Sequence, residues 1–128
     1  MGVQGKKALI ADDDPAILRL VAYCLGGMGL AVNVASDGKE ALDLFRADEP
    51  DIVILDVMMP EMSGWEVCRA IRESSTKPVL MISARREEKD VSRSKECGAN
   101  AHLAKPLPLR ELMSQVRGLL DGAQPEGA

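Results

Sequence analysis

No apolar run in this sequence is long enough to cross a membrane. A transmembrane helix needs roughly 18 consecutive apolar residues, and every run here is far shorter. The N-terminal residues MGVQGKK also lack the apolar stretch of a signal peptide. We therefore expect a cytoplasmic protein that has no membrane partner.

Cysteine is scarce and basic residues are not in excess. The three cysteines, Cys24, Cys68 and Cys97, are odd in number and lie in segments with helical periodicity, which favours buried reduced thiols over a disulfide. Sixteen Lys and Arg against 20 Asp and Glu give a net charge of -4. Phosphate contacts need a basic surface, so we expect no direct nucleic-acid binding. The charged segment 85–96 mixes both signs and predicts a solvated helix face.

The length of the chain suits a single domain. With 128 residues it is long enough to bury a core without disulfides or a structural metal. Its content of 46% apolar and 28% charged residues is typical of a globular protein. We expect an N-terminal extension at 1–6, one domain at 7–120 and a flexible polar tail at 121–128, with no room for a second effector domain.

Five short apolar runs alternate with amphipathic segments. The runs are KALIA at 7–11, AVNVA at 31–35, DIVIL at 51–55, PVLMI at 78–82 and AHLA at 101–104. Between and after them, apolar residues recur at the spacing of one helix face. This spacing is clearest for Ile17, Val21, Cys24, Leu25 and Met28, and for Leu109, Leu112, Met113, Val116, Leu119 and Leu120. The alternation predicts right-handed βαβ units and an α/β fold, with a parallel sheet covered on both faces.

Turn and cap residues mark several boundaries. Asp14 followed by Pro15 predicts a helix start, because Asp is a good N-cap and proline suits the first helical position. Gly98 predicts a helix stop. The GGMG stretch at 26–29 is interpreted as a helix stop and turn, because it follows a helix and lacks the spacing of a phosphate-binding loop. Gly64 is expected to have a structural role, because glycine gives the backbone conformational freedom in the loop before the third helix.

Polar side chains follow four of the five predicted strands. Asp12, Asp13 and Asp14 come after the first strand and Asp56 after the third. Ser83 and Lys105 follow the fourth and the fifth. In an open doubly wound sheet, ligands bind in the crevice outside the carboxyl ends of the strands. We therefore expect these side chains to line one crevice. The alternative for the acidic run is a solvated loop with a single helix cap.

The residue types at these strand ends suit phosphoryl transfer. Crowded carboxylates repel one another unless a bound cation neutralises their charge. Mg²⁺ prefers hard oxygen ligands of this kind. A carboxylate is also a possible nucleophile toward a phosphoryl group, forming an aspartyl-phosphate. Such a transfer needs mostly positioning and neutralisation of the phosphoryl oxygens. Mg²⁺, Lys105 and Ser83 would each serve one of those oxygens.

Four motifs in this order carry a resemblance to a known family. They are LIADDDP, ILDVMMPEMSGWE, LMISA and AHLAKPL. Over residues 7–120 the chain resembles the receiver domain of bacterial two-component response regulators, in the manner of the single-domain chemotaxis regulators. The resemblance implies a flavodoxin-like (βα)₅ fold, with a doubly wound five-stranded parallel sheet in the order 2-1-3-4-5.

The resemblance also implies a role for individual positions. Asp56 matches the phosphoacceptor position of the family, and Lys105 matches its lysine, whose peptide bond with the following proline, here Pro106, is usually cis. Asp13 falls on the direct metal ligand and Asp12 on the acid that acts through water. The remaining implied roles are the metal-binding backbone carbonyl of Met58, the hydroxyl of Ser83, and positions Met58 and Arg85 that set the phosphoryl lifetime.

The function implied is that of a signalling module rather than an enzyme. A phosphohistidine of a sensor kinase or phosphotransfer protein would donate the phosphoryl group to Asp56, with Mg²⁺ as cofactor. The phosphorylated domain would then switch its affinity for a downstream protein, as a monomer or as a phosphorylation-dependent homodimer. The alternative is a Mg²⁺-dependent phosphohydrolase acting through the same carboxylate, although the DxDxT motif and cap domain common in such enzymes are missing from the sequence.

Two departures from the family pattern concern the switch and the dimer. His102 replaces the aromatic residue three positions before the lysine, so Ser83 and His102 are the predicted switch pair. The alternative is a half-exposed edge-strand histidine with no switching role. Asn100 and Ala101 replace the paired acids of the transcription-factor branch of the family. The sequence therefore does not decide whether a salt-bridged dimer forms.

Overall fold

The structure, a computed structural model, describes residues 3–84 and 88–121, and it leaves the side chains of residues 88–90 undescribed. Five strands alternate with five helices throughout this part of the chain. The strands are β1 Lys7–Ala11, β2 Ala31–Ala35, β3 Ile52–Asp56, β4 Val79–Ser83 and β5 Ala101–Ala104. The helices are α1 Pro15–Gly27, α2 Gly38–Asp48, α3 Gly64–Arg72, α4 Glu88–Glu96 and α5 Leu109–Leu120.

All five strands are parallel and lie in the order β2-β1-β3-β4-β5, which confirms the predicted fold and topology. The three central strands are almost entirely buried, since helices cover both faces of the sheet. This explains why their sequences are continuous apolar runs rather than alternating ones.

Two separate apolar cores lie on the two faces of the sheet. Alternate residues of a strand point to opposite faces, so Ile52 and Ile54 enter one core while Val53 and Leu55 enter the other. The first core contains the buried faces of α1 and α5, and the second contains those of α2 and α3. Val3 is also buried in the first core, so the segment predicted as an N-terminal extension contacts the domain there.

The predicted boundaries differ from the structure by small amounts. β3 and β4 each begin one residue later than predicted and include Asp56 and Ser83 as their last residues. α1 continues through Gly26 and Gly27, and the chain turns instead at Gly29, whose φ is 97°. A fully buried strand has no polar alternation to mark its end, which accounts for the shift in the strands.

The predicted start of α1 is confirmed in detail. The Asp14 carboxylate accepts a hydrogen bond from the backbone N–H of Ala16 at 2.9 Å, and Pro15 is the first helical residue. The carboxylate thus satisfies one of the N–H groups that have no partner within the helix. The buried face of α1 includes Leu18, which the predicted stripe had omitted.

The three cysteines are free thiols, as predicted. Cys68 and Cys97 are buried, whereas Cys24 is only half-buried, so the prediction of burial is wrong for Cys24. Burial raises the pKa of the Cys68 thiol to about 11, which keeps it protonated and unreactive at neutral pH. Among the described residues, no helix combines the length and apolar character needed to span a membrane.

Candidate phosphoacceptor site

The carboxyl edge of the sheet collects the polar residues that the sequence analysis selected. Asp12 directly follows β1, Asp56 ends β3, Ser83 ends β4 and Lys105 directly follows β5. The strands are parallel and in register, with Asp56 opposite Ile82 and Ser83 opposite Ala104. The parallel register therefore brings these residues to one edge, as predicted.

Three carboxylates at this edge are close enough to share a cation. Asp12, Asp13 and Asp56 each offer an oxygen atom within 4.8 Å of the others. Asp12 is fully buried and Asp56 is 4% exposed, while Asp13 is exposed. Asp14 is not part of this cluster, because its carboxylate caps α1. The acidic run therefore divides into two residues at the cluster and one helix cap.

The ammonium group of Lys105 lies between two of these acids. Its Nζ atom is 2.9 Å from Asp12 Oδ2 and 3.5 Å from Asp56 Oδ2. Burial by itself would lower the pKa of Lys105, but the hydrogen bond to Asp12 and the charge of Asp56 outweigh it and raise the pKa. Lys105 is therefore fully charged at neutral pH. Its peptide bond with Pro106 is cis, as the resemblance implies.

The pKa of Asp56 is raised chiefly by the burial of its carboxylate. Burial, followed by repulsion from Asp12, raises the pKa of Asp56 to about 6. Lys105 and the backbone N–H of Met58 act in the opposite direction but do not cancel the effect. One ammonium therefore does not offset the burial of Asp56 and its repulsion from Asp12. A divalent cation with a preference for oxygen ligands fits this donor set.

A close backbone contact locks the loop that follows Asp56. The N–H of Gly64 donates to the carbonyl oxygen of Val57 at 2.9 Å, and a Cβ atom on Gly64 would collide with the carbonyl oxygen of Asp56. Gly64 has no left-handed φ, so the predicted reason for this glycine is wrong: it permits a close approach rather than an unusual conformation. The left-handed residue in this loop is Glu61, with φ at 72°.

A second glycine holds the same loop from another helix. The N–H of Gly38, the first residue of α2, donates to the carbonyl oxygen of Pro60 at 3.2 Å. A Cβ atom on Gly38 would collide with the carbonyl oxygen of Met62. The loop is thus held near both of its ends. Met58 lies in this loop with its side chain exposed, and the role of its carbonyl stays a prediction.

Ser83 is the last residue of β4, whereas His102 is the second residue of β5 and lies opposite Met81. Ser83 is 1% exposed, and its carbonyl oxygen accepts the backbone N–H of Lys105 at 2.7 Å. His102 is half-buried on the edge strand β5 and lines a surface groove together with Val91 and Glu111. These positions agree with both the switch and the edge-strand interpretation. Arg85 lies outside the described residues.

Asn100 has a structural role that the sequence analysis did not detect. Its side-chain oxygen accepts hydrogen bonds from the N–H of Val79 at 2.8 Å and from the guanidinium of Arg72 at 2.9 Å. Arg72 also donates to the carbonyl oxygens of Gly98 and Lys77. Together they connect the end of α3 to the start of β4 and to the turn before β5. No local pattern in the sequence indicates this network.

The comparisons with known proteins agree on one family. A family model described as the response regulator receiver domain matches residues 8–117. The response regulator MprA of Mycolicibacterium vanbaalenii is 40% identical over 121 residues, which are 94% of this chain and 52% of that protein. The chain thus spans about half the length of the curated relatives it matches.

Solved structures with the same architecture cover nearly the whole chain. The receiver domain of the Francisella response regulator 1452 superposes with a TM-score of 0.88 at 30% identity, covering 94% of this chain and all of that one. The chemotaxis protein CheY4 of Vibrio cholerae superposes with a TM-score of 0.84 at 32% identity, covering 90% of this chain and 98% of that one.

Proposed function

We propose, because this chain belongs to the response regulator receiver domain family of two-component systems, that Asp56 accepts a phosphoryl group from a phosphohistidine. The donor is a sensor kinase or a phosphotransfer protein. The family is one of signalling domains rather than classical enzymes. The observation that carries the proposal is the position of Asp56, whose buried carboxylate ends β3 beside two further acids and an ammonium group.

The carboxylate of Asp56 is the nucleophile. With a pKa of about 6, Asp56 is mostly ionised at neutral pH, and its oxygen is available to attack phosphorus. A new P–O bond forms while the P–N bond to the donor histidine breaks. The electron pair of that bond leaves with the imidazole, which takes up a proton from water.

The acids would hold Mg²⁺ beside the phosphoryl group. Asp13 would be the direct ligand, Asp12 would act through water, and the carboxylate of Asp56 and the backbone carbonyl of Met58 would complete the protein ligands. When bound, the ion neutralises phosphoryl oxygens. The fit rests on the three carboxylates, whose oxygens lie within 4.8 Å of one another and are all hard ligands.

Lys105 and Ser83 hold the remaining phosphoryl oxygens. The ammonium of Lys105 is already 3.5 Å from Asp56 Oδ2, so a small movement away from Asp12 lets it bind a phosphoryl oxygen. The hydroxyl of Ser83, at the end of the neighbouring strand, donates to another. Together with His102 it forms the switch, and the response alters a surface that binds a downstream protein or a second copy of the chain.

Labelling with a small phosphoryl donor tests this proposal. The purified protein is incubated with Mg²⁺ and radiolabelled acetyl phosphate, and the label is quantified after acid and after alkaline treatment. We expect up to one acid-stable, alkali-labile label per chain, none in Asp56→Asn, and full labelling in the control Asp43→Asn, which alters an exposed acid of α2.

Two results would overturn the proposal. Label that persists in Asp56→Asn would place the phosphoryl group elsewhere on the protein. Many turnovers of phosphate release per chain, without stable label, would favour the phosphohydrolase. Omission of Mg²⁺ should abolish labelling, because the acids then repel the incoming phosphoryl group.

A further inference from the structure

Helix α4 has very little apolar surface with which to hold its place. Its sequence, EKDVSRSKE, contains a single apolar residue, Val91, which is only half-buried. By contrast, α3 buries four residues against the sheet. Within residues 91–96, the buried side chain is that of Ser94, which is 1% exposed. A helix without an apolar stripe depends on polar contacts for its position.

Trp65 of α3 supplies two such contacts. Its indole Nε1–H donates to the hydroxyl oxygen of Ser94 at 3.1 Å. The guanidinium carbon of Arg93 lies 4.3 Å from the centroid of the indole ring, within range for a cation–π interaction. Trp65 itself packs against the core between α3 and the sheet. The indole therefore joins a firmly packed helix to a weakly packed one.

The same residue is directly connected to the phosphoacceptor. Trp65 follows Gly64, whose backbone touches the carbonyl of Asp56 and donates to the carbonyl oxygen of Val57. The end of β3 and the start of α3 are thus locked together backbone to backbone. Because Trp65 follows Gly64 directly, a shift of the backbone at Asp56 that displaced the start of α3 would also displace the indole.

We propose that Trp65 is a positioning residue that couples the backbone of Asp56 to helix α4 through its hydrogen bond with Ser94. The inference rests on the proposed phosphorylation of Asp56 for its trigger. One neutral hydrogen bond and one exposed cation–π contact are weak, so a small displacement changes the fraction of time that α4 is docked. Phosphorylation therefore alters α4 by shifting this population.

Hydrogen–deuterium exchange of the unphosphorylated protein tests the contact itself. Trp65→Phe keeps a ring but loses the N–H donor, and Ser94→Ala loses the acceptor. In both variants we expect the amides of α4 to exchange about threefold to tenfold faster, as loss of one hydrogen bond predicts, while those of α1 stay unchanged. Ser92→Ala, at an exposed serine of the same helix, is the matched control and should not differ from wild type. Unchanged α4 exchange in both variants would overturn the proposal.

Trp65 is the only tryptophan of the chain, so its fluorescence reports the coupling. As Asp56 is labelled, we expect the emission to change in proportion to the label and α4 exchange to change with it. Ser94→Ala should take up label normally but lose at least half of the emission change, whereas Ser92→Ala keeps all of it.

The two proposals fail in different ways. Stoichiometric label on Asp56 without any change in Trp65 emission or in the amide exchange of α4 would refute the proposed coupling. The phosphoacceptor proposal would remain intact. Absence of label on Asp56 would remove the phosphoacceptor proposal and the trigger together, and the separate label measurement identifies that case.

Discussion

The ammonium group of Lys105 lies 2.9 Å from the fully buried carboxylate of Asp12. This lysine is therefore the counter-charge of the two buried acids, Asp12 and Asp56. Lys105 is predicted to bind a phosphoryl oxygen, and the structure shows that it also pairs with Asp12. The stability of the metal-free protein should depend on this pair.

Replacement of Lys105 by alanine should destabilise the metal-free protein. The change leaves Asp12 and Asp56 buried without a cation, and because Lys105 is itself partly exposed we expect a loss of about 1–3 kcal/mol in the free energy of unfolding. Urea denaturation at pH 7.5 with a chelator measures it, and Mg²⁺ should restore part of the loss. In the control Lys7→Ala, the ion pair with Asp48 is largely accessible to solvent and the loss should stay below about 1 kcal/mol. Equal losses in the two variants would contradict the assignment.

Asp56→Asn should stabilise the metal-free protein at neutral pH. The pKa of Asp56 in the folded protein is about 6, above its ordinary value of 3.8, so the folded state binds this proton more tightly than the unfolded chain. The stabilisation from that proton is complete below about pH 4 and is lost as the pH rises through 6. The difference between a pKa of 3.8 in the unfolded chain and about 6 in the folded protein corresponds to at most about 3 kcal/mol of stability.

Denaturation at a series of pH values measures this effect. We expect Asp56→Asn to exceed wild type by about 1–3 kcal/mol at pH 7.5 and to converge with it near pH 4. Asp43→Asn, at an exposed position, should follow the wild-type curve. An Asp56→Asn curve parallel to that of wild type from pH 4 to 7.5 would refute the electrostatic account.

Substitutions of Asp13 and Asp14, two neighbouring acids, should have different effects on Mg²⁺ affinity and on the free energy of unfolding. Asp13→Asn removes a carboxylate from the cluster, so we expect Mg²⁺ affinity to fall by about tenfold or more with little change in stability. Asp14→Ala removes the cap of α1, so we expect a loss of about 1 kcal/mol in stability and unchanged Mg²⁺ affinity. Titration calorimetry and urea denaturation on both variants measure the two quantities. Equal loss of Mg²⁺ affinity in both would show that the acidic run is not divided as described.

A methyl group at Gly64 should disturb the loop that follows Asp56. Because the obstructing atom is the backbone carbonyl oxygen of Asp56, neither partner is free to rotate away, and we expect Gly64→Ala to lose about 1–3 kcal/mol or more. It should also be labelled more slowly on Asp56. In the control Gly118→Ala, on α5, nothing lies near the new atom and we expect a gain of about 0.5–1 kcal/mol. Thermal unfolding measures the stability of both variants, and the rate of labelling measures the effect on Asp56. A Gly64→Ala protein as stable as Gly118→Ala would contradict this account.

The fold was predictable because its signals are local. The 3.6-residue spacing of α1 and α5, the cap formed by Asp14 and the short apolar runs all reflect interactions within one or two turns of chain. The errors occurred where local signals are ambiguous. β3 continues through Asp56, one residue further than predicted. The sequence alone does not distinguish a buried aspartate at the end of a strand from an exposed aspartate in a loop.

The sequence by itself determined which chemistry gathers at the edge of the sheet: parallel strands end together, so the acids, the serine and the lysine had to meet there. Only the tertiary structure decided which of them touch, and with what consequence. Packing and burial decide the pairing of Lys105 with Asp12 and the raised pKa of Asp56. They also decide the hydrogen bond between Trp65 and Ser94, two residues that lie 29 positions apart in the chain. Such contacts join residues far apart in the chain, and no periodicity or spacing encodes their distances.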